Sequence, residues 1–157
     1  MSSKTAEVLF YHLEQRPLDE VLPMLVEKTL ERGWKAVIQA GSAERVEALD
    51  LLLWTHKDSS FIPHGTVKSG HADLQPVFLT TETDNPNGAT VRFMVDGAQL
   101  EPLEAQLKAY ARIVFMFDGG DQSELAAART TWKAVKATGT TATYWQQDDD
   151  GKWAKKA

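Results

Sequence analysis

The sequence predicts an α/β protein, because the spacing of its apolar residues changes repeatedly from a strand pattern to a helix pattern. The most continuously apolar stretch, Ala111 to Phe117, has the character of a strand buried on both faces, as strands inside a parallel sheet are. A chain of 157 residues is long enough for one core and short for two ordinary domains. Together these observations predict one mostly parallel sheet with helices on both faces.

The elements follow in order. Val8-Leu9-Phe10-Tyr11-His12-Leu13, β-branched and aromatic, is the first strand. From Leu18, the positions Val21, Leu22, Leu25, Val26 and Leu30 recur at three- and four-residue steps, which gives an amphipathic helix capped by Gly33. Trp34 to Ala40 is a second strand. Gly41-Ser42 breaks it, Ser42 offers an oxygen to the first free amides of the next helix, and Val46, Leu49, Leu52 and Leu53 form that helix's buried face. Residues 55 to 75 hold Pro63, Gly65 and Gly70 without periodicity and read as a long connection. Pro76 to Thr80 and Ala89 to Val95 flank Asp84-Asn85-Pro86-Asn87-Gly88, a turn-forming segment, so two strands joined as a hairpin are expected. After Phe117, Asp118-Gly119-Gly120 ends the strand, and Asp121 to Ala137 is an alanine-rich helix. Thr140 to Trp145 reads as an edge strand. A single α/β domain is placed at 1–147, with 148–157 as a polar, flexible tail.

Composition narrows the functions. With 17 Lys+Arg against 22 Asp+Glu, the net charge of -5 repels phosphate backbones unless positive charge is concentrated locally. Zero cysteines exclude disulfides, thiolate metal sites, iron–sulfur clusters and a cysteine nucleophile, and fit a reducing compartment; cytoplasm is the expectation. Met1 to Leu13 is too polar for a signal-peptide core, and Leu51 to Trp54 and Ile113 to Phe117 fall far short of the roughly 20 apolar residues a spanning helix needs.

Sites of chemistry are sparse. The Gly41-Ser42 and Gly119-Gly120 turns lie where α/β sheets bind phosphates, yet neither matches G-x-G-x-x-G or a P-loop, and Asp118 and Asp121 would repel an anion. His56, His64 and His71 lack ligand spacing and read as polar surface. No G-x-S-x-G elbow fixes a nucleophile. No catalytic residue, metal or cofactor is therefore expected, although a small-ligand or nucleotide-binding enzyme on this scaffold stays open as the alternative. On the last helix, at ~100° per residue, Leu125, Arg129, Trp132 and Lys136 fall within about 60° of one another, with Lys133 beside them. Ala127, Ala128, Thr131 and Val135 form the opposite, small-residue face. Two accounts of the stripe are open. The cations complement the helix dipole while Trp132 is partly buried, or they hold a carboxylate while the indole packs an apolar side chain. Trp54, at the end of the second helix, would complete a slot between two indoles. Asp148-Asp149-Asp150-Gly151-Lys152-Trp153 either frays in solvent or folds back to imitate such a ligand.

The sequence resembles the chi-subunit family of bacterial DNA polymerase III holoenzyme, accessories of the clamp loader. The likeness is carried by Phe10-Tyr11, by Ala48-Leu49-Asp50-Leu51-Leu52-Leu53-Trp54 leading to Ser60-Phe61-Ile62-Pro63-His64, and by Ala128-Arg129-x-x-Trp132-Lys133-Ala134. It implies a Rossmann-like α/β domain with no catalytic role. It also implies an adaptor that binds the acidic, Phe-ended C-terminal tail of single-stranded DNA-binding protein on one surface and the psi subunit on another. Matched position by position, the tail site would include Trp54, Arg129, Trp132, Lys133 and Lys136, and the psi surface Phe61 and Pro63. Trp132 stands where the family has a tyrosine, and Leu125 where a lysine is known, which removes one cation.

Overall fold

A computed structural model of the chain describes residues 6–14, 18–55, 64–66, 72–150 and 152–156. In chain order the elements are β1 (Glu7–Leu13), α1 (Leu18–Glu31), β2 (Ala36–Gln39), α2 (Ala43–Thr55), β3 (Gly65–Thr66), β4 (Val77–Thr80), β5 (Val91–Met94), α3 (Leu103–Ala109), β6 (Arg112–Asp118), α4 (Gln122–Ala137), β7 (Ala142–Gln147) and β8 (Trp153–Lys155). A single 3-10 turn, Ala72–Leu74, precedes β4. The strands form one sheet in the order β3-β4-β2-β5-β6-β1-β7-β8, and every neighbouring pair is parallel except β7 with β8. The α/β expectation holds, and the arrangement is compatible with a Rossmann-like one.

Side-chain alternation along the strands splits the core in two. Val21, Leu22 and Val26 of α1 and Leu49 and Leu53 of α2 pack on one sheet face against Ile38, Leu79, Phe93 and Val114. Leu107 of α3 and Ala128 and Val135 of α4 pack on the other, against Phe10, Ile113, Phe115 and Phe117. β6 supplies both cores, which is why its sequence is apolar without alternation. The helix ends behave as their residues dictate. Ser42 Oγ accepts from the Arg45 amide at 3.3 Å, and Asp121 Oδ1 caps α4 by accepting from the Ser123 and Glu124 amides at 2.9 and 3.1 Å.

Four expectations are corrected. β4 and β5 do not form a hairpin: β2 lies between them and pairs with both in parallel. Residues 81 to 90 must then return from the end of β4 to the start of β5, a crossover made without a helix. Two buried side chains pin it. Asn87 Nδ2 donates to the Ala36 and Gln75 carbonyls, at 3.0 and 2.9 Å. The Arg92 guanidinium, fully buried, donates to the carbonyls of Glu82 and Asp84, to the Tyr110 hydroxyl and to Gln39 Oε1. Turn formers serve a hairpin and an irregular crossover equally, so composition could not separate them.

Second, β7 is not an edge strand, because β8 pairs with it through Trp145↔Lys155, Gln146↔Ala154 and Gln147↔Trp153. Third, the segment expected to fray therefore carries a strand, and Trp153 packs edge-on to Tyr11 with centroids 4.9 Å apart. The aspartates ahead of it form the turn, with Asp148 Oδ1 accepting from the Asp150 and Lys152 amides. Fourth, His64 is not polar surface. Its side chain is wholly buried, with Nε2 2.8 Å from Asp50 Oδ1 and 3.1 Å from the Asp50 carbonyl, tying the start of β3 to α2. The short helix α3 had no counterpart in the sequence reading, since seven residues give too few turns for a period to register.

Candidate functional site

α4 lies over β6 and β7, so one side of it sets the surface chemistry of that half of the sheet. Arg129, Lys133 and Lys136 are exposed on it, and Trp132 is half-buried. The indole is not a free flap. Its ring meets Phe10 edge-on at 5.2 Å and 77°, and Tyr144 edge-on at 5.8 Å and 88°. Phe10 in turn stacks on Phe115 at 4.9 Å. Leu125 also packs on this core, which widens the buried face of α4 beyond Ala128 and Val135. Lys136 Nζ sits 5.6 Å from the Trp132 centroid, a cation over the ring at i, i+4 spacing. Of the two accounts of this helix, the partial burial of Trp132 is correct as structure, and Arg129, Lys133 and Lys136 stay exposed on the same helix.

Two residues that sequence reasoning did not single out complete the site. Tyr144 of β7 stands beside Trp132, and its hydroxyl is 2.7 Å from His12 Nδ1. Burial raises the Tyr144 pKa, and the nearby Arg129 charge opposes that shift, which places the guanidinium within electrostatic reach of the phenol. His12, buried on β1, keeps Nε2 3.2 Å from Glu14 Oε1 but outside hydrogen-bond geometry. The alternation Val8, Phe10, His12 on β1 and Ala142, Tyr144, Gln146 on β7 was the available signal, since parallel register pairs Phe10 with Tyr144 and His12 with Gln146.

The helices that carry the two indoles of the expected slot lie on different faces of the sheet. α2, which carries Trp54, lies over β3 and β4 on one sheet face, whereas α4 lies over β6 and β7 on the other. The Trp54 side chain, together with Phe61 and Pro63, lies outside the described residues. So do His56 and His71. Among the described residues no group of three or more His, Asp or Glu is placed to hold a metal ion, and no helix is long and apolar enough to cross a membrane.

The two glycine turns are filled by protein. A Cβ on Gly41 would stand 2.3 Å from the Asp96 carbonyl oxygen, and one on Gly119 would stand 1.9 Å from His12 Nε2. Between them, at the carboxyl ends of β1 and β6, a cavity of about 510 Å³ is lined by Glu14, Asp19, Asp96, Asp118 and Glu124, with Arg45 its single cation among the described residues. Arg45 Nε is committed to Asp96 Oδ2 at 2.9 Å. Where related folds cradle phosphate, this molecule presents carboxylate.

Fold and surface together define an α/β protein whose most distinctive chemistry is a cation-rimmed aromatic face rather than a cleft. Comparison with known proteins is specific about which one. The family model described as DNA polymerase III chi subunit, HolC, matches residues 6–143. A curated protein of Rickettsia prowazekii (strain Madrid E), "Probable DNA polymerase III subunit chi", is 30% identical over 111 residues, covering 69% of this chain and 67% of that protein. The chain belongs to the DNA polymerase III chi-subunit family. That family is an accessory of the replicative polymerase, so the chain has protein partners in that holoenzyme.

Proposed function

We propose that the chain is a non-catalytic adaptor of the DNA polymerase III holoenzyme. It links the clamp loader, through psi or an equivalent subunit, to single-stranded DNA-binding protein by holding that protein's acidic C-terminal tail. The observation that carries this reading is Trp132, fixed edge-on by Phe10 and Tyr144 with Lys136 over its ring and Arg129 and Lys133 exposed on the same helix. A rigid ring costs little entropy when a ligand's apolar side chain is laid on it. Arg129 takes the tail's terminal carboxylate, Lys133 and Lys136 meet its acidic residues, and the terminal ring rests against Trp132 and Tyr144. Each charge-assisted hydrogen bond contributes ~1.5–3 kcal/mol before ordering costs. Trp54 is carried by α2, over the other sheet face, and its role at the tail site rests on the family resemblance alone. Phe61 and Pro63 keep the psi contact that the family resemblance gives them.

The charge balance fits the role. A protein of net charge -5 that works beside DNA reaches it through a protein already bound there. The alternative, a nucleotide-binding enzyme, is disfavoured by the acidic cavity and by glycines whose missing side chains make room for Asp96 and His12 rather than for a ligand. Fluorescence anisotropy with a labelled tail peptide tests the proposal. Binding should weaken at least tenfold in Arg129→Glu and weaken with added salt. Equal affinity of Arg129→Glu and the unaltered protein would overturn it.

A further inference from the structure

A second positive region lies on the other face of the sheet, independent of the α4 site. There α1 packs on β2 and β6 and α2 on β3 and β4, while Trp153 of β8 packs against Tyr11 of β1. A cavity of about 190 Å³ opens between the second half of α1 and the sheet. Leu9, Phe93 and Val114 form its floor and Leu25 one wall, while Lys28, Arg32 and Arg112 stand at its rim. Two of these cations are held in place by Trp34: the Arg32 and Arg112 Cζ atoms lie 5.3 and 5.6 Å from the ring centroid. Arg112 gives Nε to Glu7 at 3.2 Å, whereas Lys28 and Arg32 have no carboxylate partner among the described residues. From the cavity the apolar surface continues through Tyr11 to Trp153, in edge contact at 4.9 Å, across β7 to the sheet edge.

We propose that this cavity docks an acidic peptide segment of a protein partner. One bulky apolar side chain of that segment enters, and its flanking carboxylates meet Lys28, Arg32 and Arg112. The cavity's size admits roughly one large side chain, and its apolar floor gives a phosphate nothing to bind. Single-stranded nucleic acid needs a basic track along which bases stack. Here the cations converge on one mouth, and Glu7 beside Arg112 repels a phosphate chain. The surface running from Tyr11 to Trp153 continues past the cavity, which suits an extended segment better than a small molecule. Because the two sites occupy opposite sheet faces, the chain can hold two acidic partners at once.

The test is a methyl-NMR titration of the full chain with a short, end-blocked synthetic peptide of aspartates around one leucine. Blocking both ends removes the terminal carboxylate that the α4 site needs. Saturable shifts are expected at the methyls of Leu9, Leu25 and Val114, lost when the leucine is replaced by alanine. They should weaken roughly tenfold in Lys28→Glu/Arg32→Glu, two exposed positions outside the core. Arg129→Glu should leave these shifts intact, and the Ala128 methyl and Trp132 indole report the α4 site separately. Three outcomes each overturn the proposal: no response at these methyls, a response indifferent to the double charge reversal, or the same response produced by a thymidine oligonucleotide.

Discussion

At the scale of single residues, Gly119, His12 and Tyr144 explain one another. The His12 ring fills the space a side chain at Gly119 would take, and the Tyr144 hydroxyl, 2.7 Å from Nδ1, prevents the ring from moving aside. The glycine that looked like part of a phosphate turn is therefore a packing requirement. Gly119→Ala should destabilise the fold by about 1–3 kcal/mol, the usual penalty for overpacking, seen as a lower melting temperature. Adding His12→Ser to that variant should restore part of the loss, because the smaller side chain vacates the collision; a fully additive second loss would show that the strain lies elsewhere. His64 teaches the same lesson. A histidine in a stretch without periodicity looks like surface, yet its partner Asp50 sits 14 residues back on α2, a pairing no local pattern reveals.

At the scale of elements, long periodic segments were legible and short or paired ones were not. α1, α2 and α4 follow from their apolar spacing, and β1, β2 and β6 from their β-branched and aromatic runs. α4 was also legible as a basic stripe with an embedded indole, but which side of that indole faces the core depended on β7, whose Tyr144 defines one wall. β8 escaped because three residues carry almost no local signal; only pairing to β7 and the contact of Trp153 with Tyr11 make them a strand. Truncation after Gln147 should accordingly lower the melting temperature by exposing β7 and Tyr11, and leave tail-peptide affinity at α4 unchanged, since Trp153 packs on the opposite face. Tighter peptide binding after truncation would revive the idea that the acidic run competes for the α4 site.

At the scale of the whole molecule, charge is sorted by region: carboxylates line the cavity at the carboxyl ends of β1 and β6, and cations gather on α4 and beside the second half of α1. The acidic cavity has a thermodynamic consequence. Burial, with Asp121, Asp96 and Asp118 nearby, raises the Glu124 pKa above its ordinary 4.5, although a backbone hydrogen bond partly opposes this. The folded state then keeps a proton that the unfolded chain has lost, so this group's contribution to stability falls as pH rises from about 4.5 through the raised value. Glu124→Gln should melt higher than the unaltered protein at neutral pH, with the difference vanishing in acid; equal melting curves across that range would contradict the assignment. The α/β class, the principal helices, the doubly buried strand and the family were readable along the chain, because periodicity, composition and a distinctive loop motif are properties of neighbouring residues. Long-range packing alone sets β4 and β5 on either side of β2, α2 and α4 on opposite faces, and Tyr144 and His12 beside the α4 surface. Strand order and sheet face are set by contacts between residues far apart in the chain, and the closing of those long loops leaves no mark on local spacing.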